Sequence, residues 1–267
     1  MTELAYDRGG EGEPLVLVHP LGGDRGVWHP VLPFLTERHD CVAVDMPGFG
    51  ESPELADDTR ATAREIAATI AATLDGLGIE RAHVAGLSLG GWVGLEFAKT
   101  ERCLSVTALC AAGFWRRVLG PRPEIARKTA RRLMPVMRPL LRTKRGRRLV
   151  LSGPLAHPEN VPPDAAYRLI RAYALSPGFD RANHEMRSAL FEGFDQIHVP
   201  VTLAWADRDR SVYPPDRVPP GIRTEVLHDC GHVPTWDDPR RVAEVILRTS
   251  GGAVPQSPSG WQVAREP

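Results

Sequence analysis

Apolar residues along the chain gather in short runs separated by longer amphipathic stretches. Six runs, Leu15–His19, Cys41–Asp45, Ala82–Leu87, Val106–Ala112, Val201–Asp207 and Thr224–Leu227, are brief and mostly apolar, and they predict buried strands. Between them the period changes. Over Asp58–Leu77, the side chains of Ile66, Ile70, Leu74 and Leu77 fall on one helical face, and Thr62 with Glu65 predicts a capping box near its start. Ser88–Lys99 continues from the third strand as a helix almost without a break. Trp236–Thr249 predicts a last helix, with Asp238 as N-cap, Pro239 at the first helical position, and Val242, Val245 and Ile246 at helical spacing. Strands alternating with helices predict an α/β fold, a mostly parallel twisted sheet covered by helices on both faces.

The alternation stops between Phe114 and His198. That stretch offers no convincing strand, only Pro-separated amphipathic pieces such as Ala165–Leu175 and Asp180–Phe191. The reading is a core of residues 1–113 and 198–250, interrupted by a helical cap over 114–197. Residues 251–267, rich in Gly, Ser and Pro, predict a disordered tail. Met1–Pro14 is polar and lacks the apolar stretch of a signal peptide. The apolar runs are also far too short to span a bilayer. A cytoplasmic location is the expectation.

The chain has 267 residues, 42% hydrophobic and 25% charged, ordinary globular values that argue against disorder. Its 33 basic and 33 acidic residues balance, which argues against a globally basic nucleic-acid binder, so no nucleic-acid partner is expected. The balance is uneven locally: residues 114–148 hold thirteen Lys or Arg and one acid, Glu124. The four cysteines, Cys41, Cys103, Cys110 and Cys230, are scattered with no C-x-x-C pair, which suits a reducing compartment and no zinc knuckle.

The segment Gly86-Leu87-Ser88-Leu89-Gly90-Gly91 stands directly after a predicted strand and before a predicted helix. It contains G-x-S-x-G. A nucleophile on so tight a turn has strained dihedrals and no room for neighbouring side chains, and Gly86 and Gly90 leave that room. The turn also sets Ser88 at a helix N-terminus, where developing negative charge is favoured. A serine hydroxyl needs a base, and the base an orienting carboxylate. His232, in Asp229-Cys230-Gly231-His232, follows the last strand on a loop at its C-terminal edge, where functional groups of open α/β sheets collect. His228, in or just after that strand, reads as structural. Two carboxylates compete on the loop after Val201–Trp205. Asp209, further out, is preferred as the orienting acid, and Asp207 is read as capping the turn. His19-Pro20-Leu21-Gly22-Gly23 follows the first strand, and its glycines let a backbone N–H turn inward. The amides of Leu21 and Leu89 are the expected oxyanion donors. Asp45–Ser52 is read as a structural turn, with Asp45 tying loops together.

Four segments together carry a resemblance: HPLGG at 19–23, DMPGFGES at 45–52, GLSLGG at 86–91, and ADRDRSVYP at 206–214 with DCGH at 229–232. In this order they resemble the α/β-hydrolase fold superfamily, in its cap-bearing, esterase-like branch. Pro20 and Ala206 stand where the family often has Gly. The resemblance implies a Ser88–His232–Asp209 triad and an acyl-enzyme formed without metal or cofactor. The substrate it implies is a carboxylic ester of a small or medium molecule. A carbon–carbon bond hydrolase or enol-lactonase of aromatic catabolism shares the same residues. A ligand-binding protein on the same fold is the reading from another class. Phe114, Trp115, Val212 and Val233 are candidates for the substrate pocket wall.

The basic run admits a solvated helix face, steering of an anionic substrate or acidic partner, or contact with an anionic membrane surface. Pro135 and Pro139 interrupt the amphipathic pattern, so the solvated face is preferred and membrane contact is the less favoured alternative. The chain is expected to act as a monomer or homodimer.

Overall fold

The computed structural model of the chain describes residues 3–120 and 125–251. The strands are β1 (Tyr6–Gly9), β2 (Glu13–Val18), β3 (His39–Val44), β4 (Ala82–Leu87), β5 (Cys103–Leu109), β6 (Val201–Ala206) and β7 (Arg223–Leu227). They form one sheet in the order β1-β3-β2-β4-β5-β6-β7. All neighbours are parallel except β1, which runs antiparallel to β3. Each of the six predicted strands is present, with ends moved by a few residues. The edge strand β1 is the addition. Tyr-Asp-Arg-Gly has no apolar alternation, and it pairs through its backbone.

Helices cover both faces. On one side, α2 (Ala63–Gly76) and α3 (Leu89–Phe97) pack Ile66, Ile70, Leu74 and Val93 against Val16, Val18, Val42 and Val84. On the other, α1 (Leu32–Leu35) and α9 (Pro239–Ser250), which follows the short α8 (Pro234–Asp237), pack Leu32, Leu35, Val242 and Ile246 against Leu15, Leu17, Ala43 and Ala85. Alternate residues of β2 thus enter opposite cores, as the pleat requires. The predicted caps form: Thr62 accepts from the Glu65 N–H at 3.2 Å, and Asp238 from the Arg241 N–H at 2.9 Å.

Register sets where the loops emerge. Val18 lies beside Val44 and Gly86, so β2, β3 and β4 end level. From β2 the chain goes outward to β3, then returns across β2 to β4. The gap between the C-terminal ends of β2 and β4 is therefore a topological switch point, the place where open α/β sheets bind ligands.

Between β5 and β6 the described residues form helices: α4 (Ile125–Leu141), α5 (Lys144–Leu151), α6 (Pro163–Leu175) and α7 (Phe179–Ser188), with short 3-10 turns. Helix α4 continues through both Pro135 and Pro139, which the sequence read as interruptions. Both prolines are exposed, so water can meet the carbonyls they leave unpaired. Arginines fasten this segment. Arg127 is buried and donates to Asp180 at 2.6 Å and to the Ser176 carbonyl at 2.5 Å. Arg168 of α6 reaches Asp24 at 2.8 Å, and Arg181 of α7 donates to the carbonyls of Leu55, Ala56 and Thr59. Part of the basic run is therefore structural rather than solvated. Residues 121–124 of that run and 252–267 of the predicted tail lie outside the described residues.

Candidate active site

Ser88 directly follows β4 and caps α3 with φ 57° and ψ −114°, a positive-φ conformation that serine adopts only under constraint. The constraint is backbone packing. A Cβ on Gly86 would lie 2.0 Å from the Gly90 carbonyl oxygen, and one on Gly90 would lie 2.2 Å from that of Val18. Neither position can hold another residue without moving β2 or α3. The Ser88 carbonyl accepts from Trp92 at 3.1 Å and Ala112 at 3.0 Å, which pins the turn. The Ser88 hydroxyl makes no hydrogen bond to a described residue in the resting structure; catalytic hydrogen bonds often close only around substrate.

His232 Nδ1 lies 2.7 Å from Asp209 Oδ2. The Asp209 side chain is nearly fully buried, and its Oδ1 accepts from the amides of Ser211 and Val212 at 2.6 and 3.2 Å. Those bonds hold the carboxylate, and the carboxylate in turn fixes the imidazole with Nε2 available. Asp207 takes a different partner, His228 at 3.1 Å, on the exposed surface. The geometry thus pairs His232 with Asp209.

The turn after β2 is held by a buried histidine. His19 Nδ1–H donates to the Pro20 carbonyl at 2.8 Å, and its Nε2 accepts from the Met46 amide at 2.9 Å. Complete burial lowers the His19 pKa, which keeps the ring neutral and suits one donor and one acceptor. The Gly23 amide also donates to the Pro20 carbonyl, at 2.9 Å. The Leu21 amide, between them, and the Leu89 amide, in the first turn of α3, find no acceptor among the described residues. Asp45 ties the neighbouring loop: it accepts from the Arg25 and Glu51 amides at 2.6 and 2.9 Å, and pairs with the Arg25 guanidinium.

Ser88, Leu21 and His232 border one cavity of about 610 Å³, within the range of small-molecule sites. Its wall is mainly apolar, with Val27, Leu119, Leu155, Leu169, Ile170 and Phe179 among the lining residues. Of the candidate wall residues, Trp115, Val212 and Val233 border this cavity. Phe114 does not. Its ring stacks on Phe194 at 5.7 Å and meets Phe191 and Trp205 edge-on, so it belongs to the core behind the wall. A hollow of about 680 Å³ between Asp58–Glu65 and Lys99 holds none of the proposed catalytic residues.

Two features escaped the sequence reading. Cys110, at the end of β5, is buried with φ 44°, and its sulfur lies within 4.8 Å of both the Asp209 carboxylate and the His232 ring. Burial, reinforced by the Asp209 charge, pushes its thiol pKa well up, so the thiol stays protonated and can donate toward Asp209. This is the one potential three-donor metal cluster among the described residues, but its acid and base are already committed to each other. Asp237 accepts from the amides of Gly231, Ala156 and His157, tying the His232 loop to the helical segment. Neither residue lies in a recognisable motif.

A tight-turn serine, a carboxylate-bound histidine and two unpaired amides gather at one sheet edge. A sequence model of the alpha/beta hydrolase family matches residues 15–245, and the chain belongs to that family. It is 31% identical over 254 residues to the dihydrolipoyllysine-residue acetyltransferase component of the acetoin cleaving system of Pseudomonas putida. That match covers 91% of this chain but only 65% of the relative. A pimeloyl-[acyl-carrier protein] methyl ester esterase of Aeromonas hydrophila is 39% identical over 95 residues, 36% of this chain and 35% of the relative. The enol-lactonase from Burkholderia xenovorans superposes with a TM-score of 0.71 at 21% identity, over 93% of this chain and 96% of that one. No helix among the described residues is long and apolar enough to cross a membrane.

Proposed function

We propose that the chain is a serine hydrolase that cleaves a carboxylic ester of a small or medium molecule through an acyl-enzyme. The observation that carries this reading is the 2.7 Å His232–Asp209 pair beside the same cavity as the constrained Ser88. In the mechanism, Ser88 Oγ attacks the ester carbonyl while His232 Nε2 takes its proton. The Leu21 and Leu89 amides, unpaired in the resting structure, receive the oxyanion, each contributing about 3 kcal/mol to the transition state. His232 then protonates the departing alcohol and activates water for deacylation, and Asp209 stabilises the imidazolium throughout. No step requires a metal or cofactor. The esterase relative supports this chemistry, and the apolar cavity supports an apolar acyl or alcohol group. Helices α4–α7 serve as the cap that shapes it.

The test is pre-steady-state hydrolysis of p-nitrophenyl esters of increasing acyl length. The reading expects a burst of about one p-nitrophenol per active site, with the specificity constant rising with acyl length until the cavity is filled. Hydrolysis without a burst, or with no dependence on acyl length, would count against it. A panel containing enol-lactones and vinylogous diketones separates ester cleavage from lactone and carbon–carbon cleavage.

A further inference from the structure

Residues 125–158 contain ten Arg or Lys and no Asp or Glu. Arg127 and Arg147 are buried and bonded inward; the other eight are exposed. Among these, Arg131 donates to the Ala174 carbonyl, Arg138 stacks on Tyr167 and Arg148 pairs with Glu159. The side chains of Arg132, Arg142, Lys144 and Arg145 make no hydrogen bond or ion pair with a described residue. Ile125, Thr129, Arg132, Val136 and Pro139 follow one another along α4 at steps of four, three, four and three, which places them on one stripe. All five are exposed, while Arg127, Met137 and Leu141 turn inward. Ile125 is 72% exposed, Val136 53%, and Leu149 on α5 75%.

Cationic side chains beside bare aliphatic ones give the outer face of α4 and α5 both chemistries of a membrane-surface contact. A polyanion such as nucleic acid would pair the charges and leave the aliphatics in water. An acidic protein would have to match both the charges and the apolar shape. A bilayer with anionic headgroups takes both without a shaped partner, because phosphates meet the cations and the acyl boundary takes the aliphatics. Both prolines lie within one continuous helix, so the stripe is unbroken. The same segment also supplies the cavity wall: Ala126 and Val150, which line it, are the immediate neighbours of Ile125 and Leu149. We infer that the outer face of α4 and α5 docks on the surface of an anionic lipid bilayer. This inference does not depend on the chemistry at Ser88.

The experiment is sedimentation of the full chain with vesicles of phosphatidylcholine alone and of phosphatidylcholine mixed with phosphatidylglycerol, at low and high salt. Binding is expected only with the anionic vesicles and is expected to weaken at high salt. Combined Arg132→Glu, Arg142→Glu and Arg145→Glu is expected to lower partitioning by at least about fivefold for each charge. Ile125→Ser with Val136→Ser is expected to lower it by about tenfold at low salt, where charge alone would leave it unchanged. Circular dichroism and thermal melts show whether each variant is folded, and Arg132→Gln is a milder variant for the same trend. Absence of anionic-vesicle binding would overturn the inference, as would binding that these substitutions leave unchanged. Retention on heparin or polyglutamate without vesicle binding would also overturn it, in favour of a polyelectrolyte contact.

Discussion

The sheet edge around Ser88 and the helical segment that shares its cavity are held by different means. At the edge, position is set by backbone. Ser88 and Cys110 sit at positive φ, Gly86 and Gly90 touch neighbouring carbonyls, and the neutral His19 bridges the carbonyl of one loop and the amide of the next. In the helical segment, position is set by long side chains: Arg127, Arg168 and Arg181 reach across to carboxylates and carbonyls. Backbone contacts at van der Waals limits allow one arrangement. Links from the half-buried Arg168 and Arg181 are individually weak and can be exchanged one at a time, with the buried Arg127 the exception. The edge is thus built for fixed geometry, as catalysis by preorganised groups requires. The helical segment can vary in sequence and shape without disturbing it.

The largest expected effect is at the edge. Ser88→Ala is expected to cut ester turnover by about a million-fold with no loss of melting temperature, because the serine hydroxyl makes no hydrogen bond to lose. Asp209→Asn is expected to lower kcat by about ten-thousand-fold, while Asp207→Asn leaves it within about threefold. Steady-state kinetics on the pair would show the acid choice to be wrong if the two effects were reversed. Gly90→Ala forces a Cβ to within 2.2 Å of the Val18 carbonyl, and is expected to cost at least about 3 kcal/mol in chemical denaturation.

Smaller effects lie away from the edge. Burial alone would raise the Asp7 pKa, but hydrogen bonds from His29 and Arg25, with the Arg25 charge, lower it to about 2. Its folded value is depressed. The stability it adds is therefore present above the unfolded value near 3.8 and is lost as pH falls through about 2. Asp7→Asn is expected to cost about 1–2 kcal/mol at neutral pH and to flatten the melting temperature across that acid window. Arg168→Ala removes a partly exposed link from α6 to Asp24, and is expected to cost at most about 1 kcal/mol while leaving kcat on a small ester within about threefold. A large kcat loss there would erase the contrast between the two regions.

The same contrast explains what could be read from sequence. Ser88 and His232 could be picked out as candidates because each stands at a forced position, one in a tight strand-to-helix turn and the other on the loop after the last strand. The choice between Asp207 and Asp209 was only partly legible. Both leave the same strand two residues apart, and the Ser211 and Val212 amides that hold Asp209 are not a side-chain signal. Phe114 was misplaced because a residue leaving a strand can turn toward the cavity or the core, and aromatic partners nearly eighty residues away turned it inward. Strand β1 was missed because an edge strand paired through its backbone needs no apolar pattern. Cys110 and Asp237 were invisible for a related reason: their roles arise from tertiary contacts with residues far along the chain.

The central claim is that the rigid sheet edge activates Ser88. Intact-mass spectrometry after exposure to a fluorophosphonate tests it most directly, on the wild type, Ser88→Ala and Asp209→Asn. The account predicts one adduct on the wild type, none on Ser88→Ala, and much slower labelling of Asp209→Asn. A folded wild type that takes no adduct, or an adduct that persists in Ser88→Ala, would contradict it.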